Sequence, residues 1–141
     1  MEFVPDTALP PPSPERVARF EETYGVKLPP EFVDVLARGN GAVPLTNTFR
    51  QGRRERLVER LLCLLEDPGA HEAGWYDINV VMTQLDARLI SDEELVGMNV
   101  IPFAALFAGD VVCLDYRERP ERPAVAVWDH ELSREFHPRL E

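Results

Sequence analysis

Val111-Val112-Cys113-Leu114-Asp115-Tyr116, followed after a gap by Ala124-Val125-Ala126-Val127-Trp128, is the stretch on which the fold turns. Both runs are rich in β-branched and aromatic side chains, which suit a pleated surface, and the polar, proline-containing segment Arg117 to Pro123 separates them. The pattern predicts two antiparallel strands. Just beyond stand Asp129, His130 and Glu131, so the region Ile101 to Glu131 gathers much of the candidate chemistry.

Working outward from this hairpin, the start of the chain reads as helices. Residues 1–13 form an extended, proline-rich leader; Ser13 and Pro14 are suited to the N-cap and first helical position. Val17, Phe20 and Tyr24 share a face until Gly25 ends the helix. A second short helix follows Leu28-Pro29-Pro30 and buries Phe32, Val35 and Leu36 before the breaker Gly39-Asn40-Gly41. Val43, Leu45 and Phe49 then suit a strand, with Pro44, which lacks an amide hydrogen, at a sheet edge.

From Arg53 to Glu66 the periodicity favours a helix, since Leu57, Val58, Leu61, Leu62 and Leu65 make a helical stripe. Asp67-Pro68-Gly69 is a turn. Ile78, Val81, Met82, Leu85 and Leu89 recur at helical spacing behind Trp75, Tyr76 and Asp77. Ser91 and Glu94 are spaced as a capping box, which predicts one more helical turn before Gly97. No repeat and no internal boundary interrupts the chain, so a single domain over 1–141 is expected.

With 45% hydrophobic and 28% charged residues among 141, the composition is that of a folding chain rather than a disordered one. The net charge of −10 disfavours nucleic acid and membrane surfaces, polyanions that need clustered Lys and Arg, and suits a basic partner. All the basic residues except Lys27 are arginine, a bias of GC-rich coding. The N-terminus lacks a basic stretch followed by an apolar core, and no window reaches the about 18 apolar residues of a membrane span. The expected location is the cytoplasm.

Cys63 and Cys113 stand in unrelated contexts and predict two buried thiols rather than a disulfide or metal pair. His71, His130 and His137 lack ligand spacing, and no glycine-rich turn cradles phosphate, so neither a metal nor a cofactor is expected. Asp129-His130-Glu131 cannot converge as a triad on an extended strand, where neighbours point to opposite faces. Cys113 with His130 would need hydrogen-bond contact to act as nucleophile and base, and Cys113 lies in an apolar run. Asp115 and Arg117 share a strand face, either pairing with each other or presenting charge to a partner. Trp128 suits the core; Trp75 and Tyr76, at a glycine-flanked helix entry, suit the surface.

Phe20-Glu21, Tyr24-Gly25, Leu28-Pro29, Phe32 and Asn40-Gly41 are followed in order by Ile101-Pro102-Phe103-Ala104. Gly109-Asp110 then leads through Cys113-Leu114-Asp115-Tyr116-Arg117 to Trp128-Asp129-His130-Glu131. In these motifs, from about Pro14 to Glu131, the chain resembles the Smi/Knr-type family of the SUKH superfamily. It departs in having Ala108-Gly109 where a glycine pair is usual and Pro44 at a plain strand position.

The resemblance implies an α+β fold, a central, mainly antiparallel sheet packed against several helices. It also implies a strand near Arg54 to Leu64, against the periodicity, and the strand is the reading followed for that segment. In bacteria such proteins are mostly immunity proteins that bind and neutralise polymorphic or contact-dependent toxins; a eukaryotic branch regulates cell-wall assembly through protein contacts. The expectation is therefore a non-catalytic domain whose partner is a toxin, for instance a basic nuclease. A regulatory scaffold is the alternative and a cysteine-dependent enzyme the remote one. Candidate contact residues are Trp75, Tyr76, Asp77, Asp110, Asp115, Arg117, Asp129 and Glu131.

Overall fold

The C-terminal runs pair as read. In the computed structural model, which describes residues 1–85, 88–89, 99–134 and 137–141, strand β4 (Val111–Asp115) lies antiparallel to β5 (Ala124–Trp128), with Val111 opposite Trp128 and Asp115 opposite Ala124. Three further strands, β1 (Thr48–Gln51), β2 (Arg54–Leu61) and β3 (Val100–Leu106), complete a five-stranded antiparallel sheet in the order β1-β2-β3-β4-β5. Helices α1 (Pro14–Tyr24), α2 (Pro30–Gly39) and α3 (Ile78–Leu85) pack on it. This is the α+β arrangement expected.

Helix α1 begins and ends as its sequence dictates: the Ser13 hydroxyl accepts from the Arg16 amide, and Gly25 closes the helix in the left-handed conformation at φ 65°. Its Phe20 joins Phe32 and Leu36 of α2, Ile78 and Met82 of α3, Ile101 of β3 and Trp128 of β5 in the main core. A second cluster holds Leu61, Ala104, Leu106, Val112 and Val127, with Phe3 and Val35 against it. Val111 and Cys113 go to the first cluster and Val112 to the second. Both faces of β4 are thus covered, which is why its sequence is an unbroken apolar run rather than an alternation.

Three expectations require correction or placing. The helical stripe of 53–66 is a strand over Arg54–Leu61: Leu57 is left partly exposed, whereas Arg56 is buried because Asp110 and Gln51 receive its guanidinium. The strand expected at Val43 to Phe49 begins only at Thr48. Pro44 instead bridges Phe3, and amide bonds from Val4 to Val43 and from Leu45 to Glu2 stitch the leader to this segment. Leu89 is buried and α3 is described over Ile78–Leu85; residues 86–87 and the Ser91–Glu94 capping box lie outside the described residues.

Between β3 and β4, the turn Phe107–Gly109 holds Ala108 at φ 74° and Gly109 at φ 96°. A left-handed backbone costs an L-residue with a Cβ about 1–2 kcal/mol. The greater freedom of glycine in the unfolded chain offsets part of the gain, so Ala108→Gly is expected to raise stability by about 1 kcal/mol in urea denaturation. A loss of stability would show that the alanine methyl is held by contacts that outweigh this strain.

Candidate protein-binding surface

The strand pairing disperses the residues singled out from sequence. Asp110 precedes β4 and Asp129 and Glu131 follow β5, so these sit at one end of the hairpin, whereas Asp115 and Arg117 sit at the other. Trp75, Tyr76 and Asp77 belong to a third place, the junction from a 3-10 turn (Glu72–Tyr76) into α3.

At this junction Trp75 projects, 71% exposed, over a hollow of about 270 Å³ lined by Pro68, Gly69, His71, Gly74 and Val80. Its position is fixed from below. Asp67 accepts from the Gly69 amide and His71 Nδ1 from the Ala73 amide, capping two successive turns. Gly74 lies so close to the preceding loop that a Cβ there would fall 2.0 Å from the Pro68 carbonyl oxygen. Asp77 is fully buried, its carboxylate accepting from the Leu65 and Asn79 amides. It caps α3 and ties it to the chain after β2; it offers no surface to a partner. Tyr76 is half-buried, with its ring 4.3 Å from the Arg60 guanidinium carbon and its hydroxyl bonded to Glu59.

At the loop end of the hairpin Arg117 donates from Nε and Nη2 to the two oxygens of Asp115, each at 2.9 Å. The hydrogen bond to Asp115 pushes the Arg117 pKa up. This is the ion-pair alternative read from sequence, and it occupies the charge of both residues.

At the other end Asp110 is the hub of a buried network. One oxygen accepts from Arg56 Nη2 at 2.7 Å; the other accepts from the His130 amide at 3.0 Å and faces His130 Nδ1 at 2.5 Å. Arg56 also donates to Gln51 at 2.6 Å. Burial alone would raise the Asp110 pKa, but the His130 amide and ring and the Arg56 guanidinium outweigh it and hold the carboxyl below its usual range. Asp110 therefore serves the fold rather than a contact surface. Asp129 caps the turn after β5 through the Glu131 and Leu132 amides, and Glu131 is exposed. His130, weighed from sequence as a base for Cys113, is held to Asp110. Arg56 and the exposed Phe107 carried no recognisable sequence signal; Asn40, read as a turn residue and as part of the Asn40-Gly41 motif, is fully buried and bonds Leu64 and Pro10.

The chemistry available here is limited. Cys113 is fully buried with its thiol pKa pushed up by burial and then by Asp115, and the His130 ring is committed to Asp110, so no nucleophile–base pair forms. Burial, then Asp77, pushes the Cys63 thiol up to about 12. Among the described residues Asp110, Asp129 and His130 bring ligand atoms within 4.8 Å of one another. They do not fit a metal ion well, because both Asp110 oxygens are already bonded and the Arg56 charge lies against them.

Removing the hub is expected to be costly: Asp110→Ala leaves Arg56 buried without its counter-charge, a loss of about 3–5 kcal/mol by urea unfolding at pH 7. The folded pKa of Asp110 lies below the unfolded value of about 3.9. Its contribution is therefore present above that value and lost as pH falls through the folded pKa. The stability gap between wild type and Asp110→Ala is expected to narrow below about pH 4; a constant gap would show that the carboxylate charge plays no part.

A family model described as SUKH_6, SMI1-KNR4 cell-wall, matches residues 14–138. No curated protein and no solved structure matches the chain. No helix among the described residues is long and apolar enough to cross a membrane.

Proposed function

The chain belongs to the SUKH_6, SMI1-KNR4 cell-wall family, and on that premise we propose that it is a non-catalytic binding domain that occludes a toxin, an immunity protein. The observation that carries this reading is Trp75, a tryptophan 71% exposed on a turn that two caps and a buried aspartate hold in place. An exposed indole on a rigid support is the kind of anchor that dominates protein interfaces, because it buries a large area at little entropic cost. Elsewhere in the fold the thiols are buried and the Asp110 network is engaged internally, which favours contact over turnover.

The net charge of −10 suits a basic partner such as a nuclease domain. Complementary charge chiefly speeds encounter, so association is expected to slow as salt rises while dissociation changes little. Exposed acidic residues, Glu131 among them, would contribute to this field; the self-paired Asp115 and Arg117 would contribute less.

Co-expression with the toxic product of a neighbouring gene tests the reading: rescue of growth and a co-purifying complex are expected, and failure of both overturns it for that partner. Trp75→Ala is expected to weaken the complex by about 2 kcal/mol, roughly thirtyfold, without lowering the thermal midpoint, since an exposed side chain supports little of the core. The cell-wall term in the family description favours a second reading, a regulatory scaffold. Stable endogenous partners in cells with no cognate toxin would select it.

A further inference from the structure

We propose that Trp75 and two adjoining hollows receive a proline-rich segment of the partner protein in the extended polyproline II conformation. The hollow under Trp75, about 270 Å³, is walled by Pro68, Gly74 and Val80. A second, about 240 Å³, lies between the leader prolines Pro10, Pro11 and Pro12 and the segment from Leu64 to Asp67. His71 lines both, so they meet across the turn that it caps. In a polyproline II helix every third residue returns to the same side, so prolines three positions apart face two neighbouring hollows. Aromatic-lined grooves are the surfaces on which such segments pack.

The polar groups between the hollows select the same ligand. His71 Nδ1 accepts from the Ala73 amide at 2.9 Å, so it carries no proton and the ring N–H stands at Nε2. The indole N–H of the exposed Trp75 is a second donor. A proline-rich segment supplies what donors need: its carbonyls make no internal hydrogen bonds, and proline has no N–H to compete. Asp67, which spends one oxygen on the Gly69 amide, and the exposed Glu72 set negative charge beside the hollows, complementary to a basic residue flanking the prolines. The walls are fixed before a ligand arrives. Asn40 donates to the Pro10 carbonyl and the Ser13 hydroxyl to Glu66, each at 2.8 Å, which pins the leader. This inference rests on the partner being a protein anchored at Trp75 and names the segment it presents there.

The full chain titrated with acetyl-Arg-Pro-Pro-Ala-Pro-Pro-Ala-amide, followed by NMR, tests it. The Trp75 indole proton and the amides from Gly69 to Trp75 are expected to shift, while the indole of the buried Trp128 stays in place. Replacing either proline pair by alanine is expected to weaken binding about fivefold, and Trp75→Ala about tenfold. Trp75→Phe, which keeps a ring and loses the N–H, is expected to cost about threefold. Unchanged spectra, shifts elsewhere, equal binding of an all-alanine peptide, or a Trp75→Ala chain that binds as wild type would overturn the proposal. Shifts of the same signals with protein concentration alone would place Pro10 to Pro12 of a second copy in the hollow and overturn it as well. A silent titration in a chain that still rescues growth overturns the proline segment alone. Peptide binding in a chain that rescues no toxin upholds the segment and counts against the immunity reading.

Discussion

The buried ion pair between Arg56 and Asp110 is the constraint around which the sheet is arranged. Each charge is taken out of water, which is tolerable only because each meets the other at 2.7 Å and is further bonded, Arg56 by Gln51 and Asp110 by His130. The pair joins β2 to the start of β4 across the intervening β3, so the chain must turn back sharply after β3 to deliver Asp110. The left-handed Ala108 and Gly109 perform that turn. The same pair sets which face of β2 looks inward: with Arg56 inside, its neighbour Leu57 must look out. His130, drawn to the other Asp110 oxygen, then positions the segment beyond β5.

This inversion explains what could and could not be read in advance. The β4–β5 hairpin was legible because both its strands are unambiguous in composition, and α1 because Ser13, Pro14 and Gly25 mark its ends by local chemistry. Strand β2 was not legible from its own residues. Its apolar positions mimic a helical stripe, and the side chain that decides the matter, Arg56, is polar and buried through a partner 54 positions away. Only the family resemblance pointed to a strand there. Strand β3 hides a similar difficulty, since Pro102 lacks a ladder donor inside a central strand; the register shift between Pro102 and Ala104 accommodates it.

The surface was legible where exposure follows from local cues and illegible where it depends on distant partners. Trp75 lies beside Gly74 on a turn too tight to bury it, and its exposure could be read from that context. Asp77 and Asp110 look like surface carboxylates in the sequence, yet backbone amides and an arginine brought by the fold enclose them. Trp128 was rightly assigned to the core: it is fully buried, its indole donates to the Arg88 carbonyl, and the Arg88 guanidinium lies over its ring. Asn40 belongs with the illegible set. Its amide satisfies both the amide and the carbonyl of Leu64 while holding the leader through Pro10.

These placements bear on function through what they leave unspent. A catalytic centre needs reactive groups whose bonding capacity is reserved for a substrate. Here Cys63 and Cys113 are kept protonated by burial, Asp110 is saturated, and Asp115 closes on Arg117. What remains available among the described residues is of another kind: a supported tryptophan, an exposed phenylalanine on a turn, and exposed acidic side chains. Such groups gain from being covered rather than from reacting. The network that would have suggested chemistry in the sequence is thus the scaffold that makes a rigid contact surface, and rigidity lowers the entropic cost of the contact it offers.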